Sequence, residues 1–318
     1  MSTLLVASTG GHLKELHHLY KRLSGIEGPF RWVTFDTPQS RSLLDGQDVD
    51  FVPFVGGRDP INVTRNLAAA RRVFRDHSLC TVVSTGSAVA LPFFAMARLR
   101  RLSCHFIESA ARIDGPSITG RLISRIPGVH LYAQYPGWSR GDWRCSGSVF
   151  DAFKCSPSPR DRPDRLDKAV VVLGTYRGYG FPRLIRRLLE IFPSETDVLW
   201  QTGDTDTEGL GISGHYAIPE RDLTQAMLEA DVVVAHAGVG TALAAFEVGK
   251  CPLLVPRRLS LGEHVDDHQK QVASELGNRG LSVSVEADDL SYDDLLAAAG
   301  GRVATLTQAP LFATAPPH

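Results

Sequence analysis

Apolar positions along this chain follow two rhythms that take turns. The short run "TLLVA" (3–7) stops at polar residues and glycine, and Leu13, Leu16, Leu19, Tyr20 and Leu23 then recur at helical spacing. The runs "RWVTF", "FVPF", "CTVVS", "CHFIE" and "VHLYA" continue the β-rich series, with helical stretches such as "NLAAARRVFRDH" between them. Strands alternating with helices predict an α/β fold with a parallel sheet covered on both faces. At 154–168 the texture changes to "KCSPSPRDRPDRLDK", with three prolines, many charges and no periodicity, which marks a linker. The rhythm then restarts with "AVVVL", "PRLIRRLLEIF", "DVLW", "DLTQAMLEA", "VVVA", "GTALAAFEVG" and "PLLV".

This reading divides the chain into a domain at 1–153, a linker at 154–168, a second domain at 169–299 and a pattern-poor tail at 300–318, expected either to pack loosely or to cross back to the first domain. Both domains are expected to be doubly wound and Rossmann-like. Ligands of such sheets bind beyond the carboxyl ends of the strands. Two of them joined by one linker predict facing domains with a cleft between.

Composition narrows the class. With 43% hydrophobic and 22% charged residues and a net charge of −1, the chain reads as a soluble globular protein with no electrostatic case for nucleic acid. The apolar stretch "AVALPFFAMARLRRL" is interrupted by Pro92 and ends in Arg98, Arg100 and Arg101. It reads as a core helix with a basic end, a peripheral membrane contact being the alternative. Cys80, Cys104, Cys145, Cys155 and Cys251 form no C-x-x-C pair, so free thiols in a reducing compartment are expected. The first apolar run is short and meets Ser-Thr-Gly-Gly, so no secretory leader is read and a cytoplasmic protein is expected.

The candidate chemistry sits in the loops at the carboxyl ends of the strands. They carry Thr9-Gly10-Gly11-His12, Thr85-Gly86-Ser87, Glu108, Gly174-Thr175-Tyr176-Arg177, Gln201-Thr202-Gly203 and His236-Ala237-Gly238-Val239-Gly240-Thr241. Glycine lets backbone N–H groups approach an anion, and a helix N-terminus adds partial positive charge. Any βα turn favours glycine and capping residues, so one such loop says little. Six in one chain point to phosphate recognition. No G-x-x-x-x-G-K-[ST] loop is present, and Leu243 stands where a dinucleotide fingerprint wants glycine or alanine. Glu263, His264, Asp266, Asp267, His268 and Gln269 crowd seven positions. His264, Asp267 and His268 match no firm metal-ligand spacing, so no metal is expected.

Taken in order, "VVLGTYRGYGFPRLI", "WQTG", "HAGVGT" and "DDHQ" resemble the donor-binding domain of GT-B glycosyltransferases. Their relatives include the enzyme that adds N-acetylglucosamine to lipid I and the catalytic subunit of the dolichol-linked N-acetylglucosaminyltransferase. "ASTGGHLKEL", "VVSTGSAVALPFFA" and "FIESAARIDGPSITGRL" resemble the other subunit of that two-part enzyme. Bacterial exopolysaccharide and capsule glycosyltransferases carry the same pieces, and this chain looks like the two fused.

The resemblance implies inverting, metal-independent transfer of N-acetylglucosamine, glucose or glucuronic acid from a UDP-sugar, with no cofactor. The implied acceptor is a polyprenyl-diphosphate-linked sugar at the inner face of the plasma membrane, a small-molecule secondary metabolite being the alternative. Gly238 to Thr241, beside His236 and Ala237, would meet the diphosphate, with Gly174, Thr175 and Arg177. Gln201, Thr202 and Gly203 would wall the nucleotide, and Gln269 would contact the donor hexose. The family's ribose-gripping glutamate would fall at Ala244; Glu247, one turn on, either replaces it or is a surface residue. Thr9, Gly10, Gly11, Thr85, Gly86 and Ser87 would take the acceptor. His12 is the candidate base and Glu108 its rival. A UDP-N-acetylglucosamine 2-epimerase-like enzyme and a non-catalytic scaffold are the competing readings.

Overall fold

The structure, a computed structural model, describes residues 2–55, 60–75, 78–156, 163–175 and 177–315. Tyr176, most of the proline-rich part of the 154–168 segment and the last three residues lie outside this set. The chain divides into two compact units, Met1–Asp151 with Pro310–His318, and Ala152–Ala309.

In the first unit the order is β1 (Ser2–Ala7), α1 (Gly11–Leu19), β2 (Phe30–Phe35), α2 (Pro38–Leu43), β3 (Asp48–Val52) and α3 (Pro60–Val73). There follow β4 (Leu79–Gly86), α4 (Ala90–Leu99), β5 (Ser103–Ile107), α5 (Ile118–Ile123), β6 (Val129–Ala133) and β7 (Trp143–Cys145). All seven strands are parallel, in the order β3-β2-β1-β4-β5-β6-β7. Every residue of β1 is buried, as expected for a central strand with helices on both faces. Alternate residues point to opposite faces, so Leu4, Val6, Val82 and Phe106 share one core with Ala70, Val73, Phe93 and Phe94 of α3 and α4. Pro92 lies in the first turn of α4, where no intrahelical hydrogen bond is lost. Of the predicted run "FVPF" only Phe51 and Val52 are strand, as the end of β3, because Pro53 has no N–H to continue the ladder.

The second unit contains β8 (Phe153–Cys155), β9 (Lys168–Val172), α6 (Pro182–Ile191), β10 (Asp197–Gln201), β11 (Gly214–His215) and α7 (Glu220–Glu229). It continues with β12 (Val232–His236), α8 (Val239–Glu247), β13 (Leu253–Val255), α9 (His268–Asn278), β14 (Val283–Ser284), α10 (Tyr292–Gly300) and β15 (Val303–Thr305). Its parallel sheet runs β11-β10-β9-β12-β13-β14. Val171, Val232, Val234 and Val255 pack on one face with α6 and α10, while Val170, Val172 and Val233 pack on the other with α7 and α8.

One segment departs from the sequence reading, and the tail takes one of the two courses expected of it. Phe153–Cys155, at the start of the expected linker, pairs antiparallel with Val303–Thr305 of the tail. The tail then returns to the first unit, where Phe312 is fully buried, bridges Leu23 and lies against the Tyr132 ring. Arg22 Nε donates to the Pro310 carbonyl at 2.9 Å and fixes the return.

Candidate active site

Each sheet has one place where its strand order reverses direction, between β1 and β4 in the first and between β9 and β12 in the second. Chain connections leave such neighbours toward opposite sides and open a crevice at their carboxyl ends. The loops singled out in the sequence sit at these two points.

In the first unit Gly10 takes φ 81° to turn β1 into α1. The first intrahelical bond runs from the Lys14 N–H to the Gly10 carbonyl, so the amides of Gly11, His12 and Leu13 precede it. His12 Nδ1 lies 2.9 Å from the Thr85 carbonyl oxygen at the end of β4, and Thr85 Oγ1 donates back to the His12 carbonyl at 2.7 Å. A carbonyl only accepts, so Nδ1 carries the proton and the lone pair of the neutral ring is on Nε2. Gly86, at φ 119°, gives the ring its room: a Cβ there would stand 3.2 Å from His12 Cε1.

Behind His12 lies a sealed carboxylate pair. Glu108, the rival base, is 1% exposed and accepts from the Ser117 N–H at 2.9 Å, Ser117 Oγ at 3.0 Å and the Ser109 N–H at 3.2 Å. It holds the 109–117 loop and is shut off from solvent, so the expectation of a base there is corrected. Thr85 is corrected likewise: it is fully buried and its hydroxyl and carbonyl are both committed to His12, which makes it a positioning residue instead of an acceptor contact. Thr9, Gly10, Gly11 and Ser87 remain partly exposed at the same crevice.

Glu15 was not anticipated. It accepts from Ser109 Oγ at 2.7 Å, the Ala110 N–H at 2.9 Å and Gln134 Nε2 at 3.1 Å. Burial pushes its carboxyl up to about 7, against the pull of those donors. Its signal was available: Glu15 is three residues after His12, on the same helical face.

In the second unit His236 ends β12, and its Nδ1 donates to the Val172 carbonyl of β9 at 3.1 Å. Glycines enclose its ring. A Cβ on Gly238 would lie 2.4 Å from Nε2, and one on Gly174 would lie 2.7 Å from Cε1. Gly203, at φ 57°, packs so tightly that its Cβ would stand 2.0 Å from the Gly174 carbonyl oxygen. Burial and the nearby Arg257 charge push His236 down to about 3, so it is neutral. The α8 helix begins directly after Gly238 with no side-chain cap, and its first intrahelical bond is from the Ala242 N–H to the Gly238 carbonyl. The amides of Val239, Gly240 and Thr241 therefore precede the helical ladder, an arrangement suited to an anion.

The remaining expected residues divide. Thr175 and Arg177 are exposed on the turn after β9, which Asp204 steadies by accepting from the Gly178 N–H at 2.6 Å. Gln201 and Thr202 are buried and occupied with the backbone, Gln201 accepting from the Ile218 N–H and Thr202 donating to the His215 carbonyl. They shape the site from behind instead of lining it. Gln269 is 2% exposed, and its Oε1 accepts from the Arg257 N–H at 3.1 Å. Glu247 is exposed at the last turn of α8, about 12 Å along the axis from the first at 1.5 Å per residue, on the side of the surface reading.

Arg257 itself was missed. It is 1% exposed, donates to the Leu173 carbonyl at 2.6 Å and stacks over Phe181, with burial lowering it to about 10. It directly follows the "PLLVP" strand, the position class that yielded the other site residues. Beyond it, His264 and His268 meet edge-on at 4.7 Å between ring centroids, with Asp266 Oδ1 3.4 Å from His264 Nδ1 and in contact with His268 Nδ1. The expected partner Asp267 turns away, accepting from the Leu259 N–H.

Residues 178–295 match the glycosyltransferase family 28 C-terminal domain. The chain is 27% identical over 244 residues to a UDP-N-acetylglucosamine–N-acetylmuramyl-(pentapeptide) pyrophosphoryl-undecaprenol N-acetylglucosamine transferase of Polaromonas sp., covering 71% of this chain and 59% of that protein. An Acidovorax sp. protein of the same name is 26% identical, with 92% and 77% covered. Acinetobacter baumannii MurG superposes with a TM-score of 0.56 at 20% identity, covering 93% of this chain and 89% of that one. S. aureus MnaA, in a structure with UDP, superposes with a TM-score of 0.56 at 12% identity, covering 94% and 91%. This is a GT-B fold. Its two Rossmann-like units explain why the informative loops come in two sets, each at the switch point of its own sheet. Within the GT-B class, the chain resembles the lipid I N-acetylglucosaminyltransferases.

Proposed function

We propose that this protein is an inverting glycosyltransferase that moves a hexose from a UDP-sugar to an acceptor hydroxyl. The observation that carries the reading is the His12–Thr85 hydrogen bond, which leaves Nε2 as the proton acceptor. His12 Nε2 takes the proton from the acceptor hydroxyl as its oxygen attacks the anomeric carbon. The bond from that carbon to the diphosphate oxygen breaks, and UDP leaves. Its growing charge is met by the amides of Val239 to Thr241 at the start of α8, with Thr175 and Arg177 at the neighbouring loop, so the diphosphate needs no metal ion. Gln269, buried with its Oε1 on the Arg257 N–H, braces the loop beside the place the resemblance gives the hexose. His236, neutral and wedged by glycine, fixes the amide loop.

The names of the relatives favour N-acetylglucosamine as the sugar and a polyprenyl-diphosphate-linked sugar as the acceptor, in polysaccharide biosynthesis. No helix among the described residues is long and apolar enough to cross a membrane. The exposed Leu99, Ile118 and Leu122 lie on the packed helices α4 and α5 among the exposed Arg100, Arg101, Arg121 and Arg125. This surface suits an anionic membrane, each arginine contributing about 1 kcal/mol near it.

The test is transfer from radiolabelled UDP-N-acetylglucosamine, UDP-glucose and UDP-glucuronic acid to polyprenyl-diphosphate-linked sugars. Sugar appearing on the lipid supports the proposal. A new sugar nucleotide formed without acceptor favours epimerisation, and failure to bind any UDP-sugar refutes both.

A further inference from the structure

We propose that His264, Asp266 and His268 form a binding site for one divalent ion of the zinc class, Zn²⁺, Co²⁺ or Ni²⁺. One ligand atom from each of the three lies within 4.8 Å of the others. The 3.4 Å between His264 Nδ1 and Asp266 Oδ1 is the spacing that a tetrahedral ion with bonds of about 2.0–2.1 Å imposes on two of its ligands, while His268 Nδ1, hydrogen-bonded to the same oxygen, would have to exchange that bond for the ion. Alternate residues of the bend before α9 supply the set, while Val265 is exposed and Asp267 is held by Leu259.

Ligand chemistry selects the ion. Two imidazoles and one carboxylate suit zinc, cobalt or nickel, whereas Mg²⁺ and Ca²⁺ prefer all-oxygen shells. Side-chain exposures of 8%, 33% and 18% for His264, Asp266 and His268 give a sheltered site with a way in, and a fourth position for water.

The ion would clamp the 264–268 bend onto the first turn of α9, next to Gln269. This goes beyond the transferase reading, in which the ion has no part in bond making. Binding is measured without any sugar, so either reading can fail alone.

The experiment titrates untagged, chelator-stripped full-length protein with Zn²⁺ by calorimetry and with Co²⁺ by visible absorption at ~pH 7.5. One ion per chain with Kd below about 10 µM is expected, with Mg²⁺ failing to compete. H264A and H268A should each weaken it at least ~100-fold, and H215A, on an exposed strand, should not. Unchanged binding in both His264 and His268 variants overturns the proposal. Should those variants not fold, the wild-type Co²⁺ titration decides alone, and the lack of a four-coordinate Co²⁺ spectrum overturns the proposal.

Discussion

At the first switch point a histidine on α1 reaches across to a carbonyl of β4, and at the second a histidine ending β12 reaches back to a carbonyl of β9. Both rings are fixed in the same tautomer by the same kind of bond. Their surroundings separate them. His12 stands on the first turn of a helix with its crevice partly open, whereas Gly174 and Gly238 close on the His236 ring, Gly203 backs Gly174 and the buried Arg257 lies nearby. On the proposed function, one tautomer-fixing device thus yields a proton acceptor in one place and a rigid wedge in the other. The burial of neighbouring groups decides which.

The largest expected effect tests the base. H12A should lower turnover by ~10²–10⁴-fold with little change in UDP affinity, while E108Q acts mainly through stability. A loss below about tenfold in H12A would remove His12 from the mechanism and dissolve the contrast between the two rings.

Next come opposite pH slopes. Folded Glu15 keeps its proton up to about 7, while the unfolded chain releases it near 4.5. The folded state binds more protons between those values, so stability falls by about 3 kcal/mol as pH rises through them. His236 behaves inversely. The unfolded chain takes up a proton below 6.5 that folded His236 refuses until about 3, so its contribution is complete above 6.5 and is lost as pH drops. Denaturant titrations across pH 4.5–7 should show E15Q losing the first slope and H236Q losing the second; parallel curves for wild type and both variants would contradict the assignment.

The glycines sharpen the comparison at a smaller scale. G203A and G238A must displace backbone or the His236 ring, costing ~1–3 kcal/mol and weakening UDP binding. G10A meets open space, but φ 81° with ψ −139° is a backbone that essentially only glycine adopts, so it costs ~1–3 kcal/mol through the backbone and leaves UDP binding unchanged. Unchanged UDP binding in G203A and G238A would show that packing around His236 is looser than described. Smallest of all, E247A should leave UDP affinity within about twofold, as for an exposed residue; a tenfold loss would restore Glu247 to the ribose.

The two sheets were legible because buried parallel strands read as short apolar runs and their helices as periodic ones. The switch-point loops were legible because small and hydroxylated residues recur at six strand ends of one chain, two of them with a histidine, although any single βα turn would favour glycine anyway. What stayed hidden depended on distance in the chain. Glu108 ends a strand as a catalytic carboxylate would, but only the fold brings Ser109 and Ser117 around it. Asp266 and Asp267 are adjacent and chemically identical, and only the bend decides which one faces the histidines. Strands of two or three residues, such as β8 and β15, carry too little pattern to announce a pairing across 150 positions.

The return of the C-terminal segment has a practical consequence for anyone dividing this chain. Residues 1–151 expressed alone would lack the plug formed by Phe312 and the anchor at Pro310, leaving Leu23 and Tyr132 uncovered. A synthetic peptide spanning 310–315, supplied in trans, is the natural complement for such a fragment.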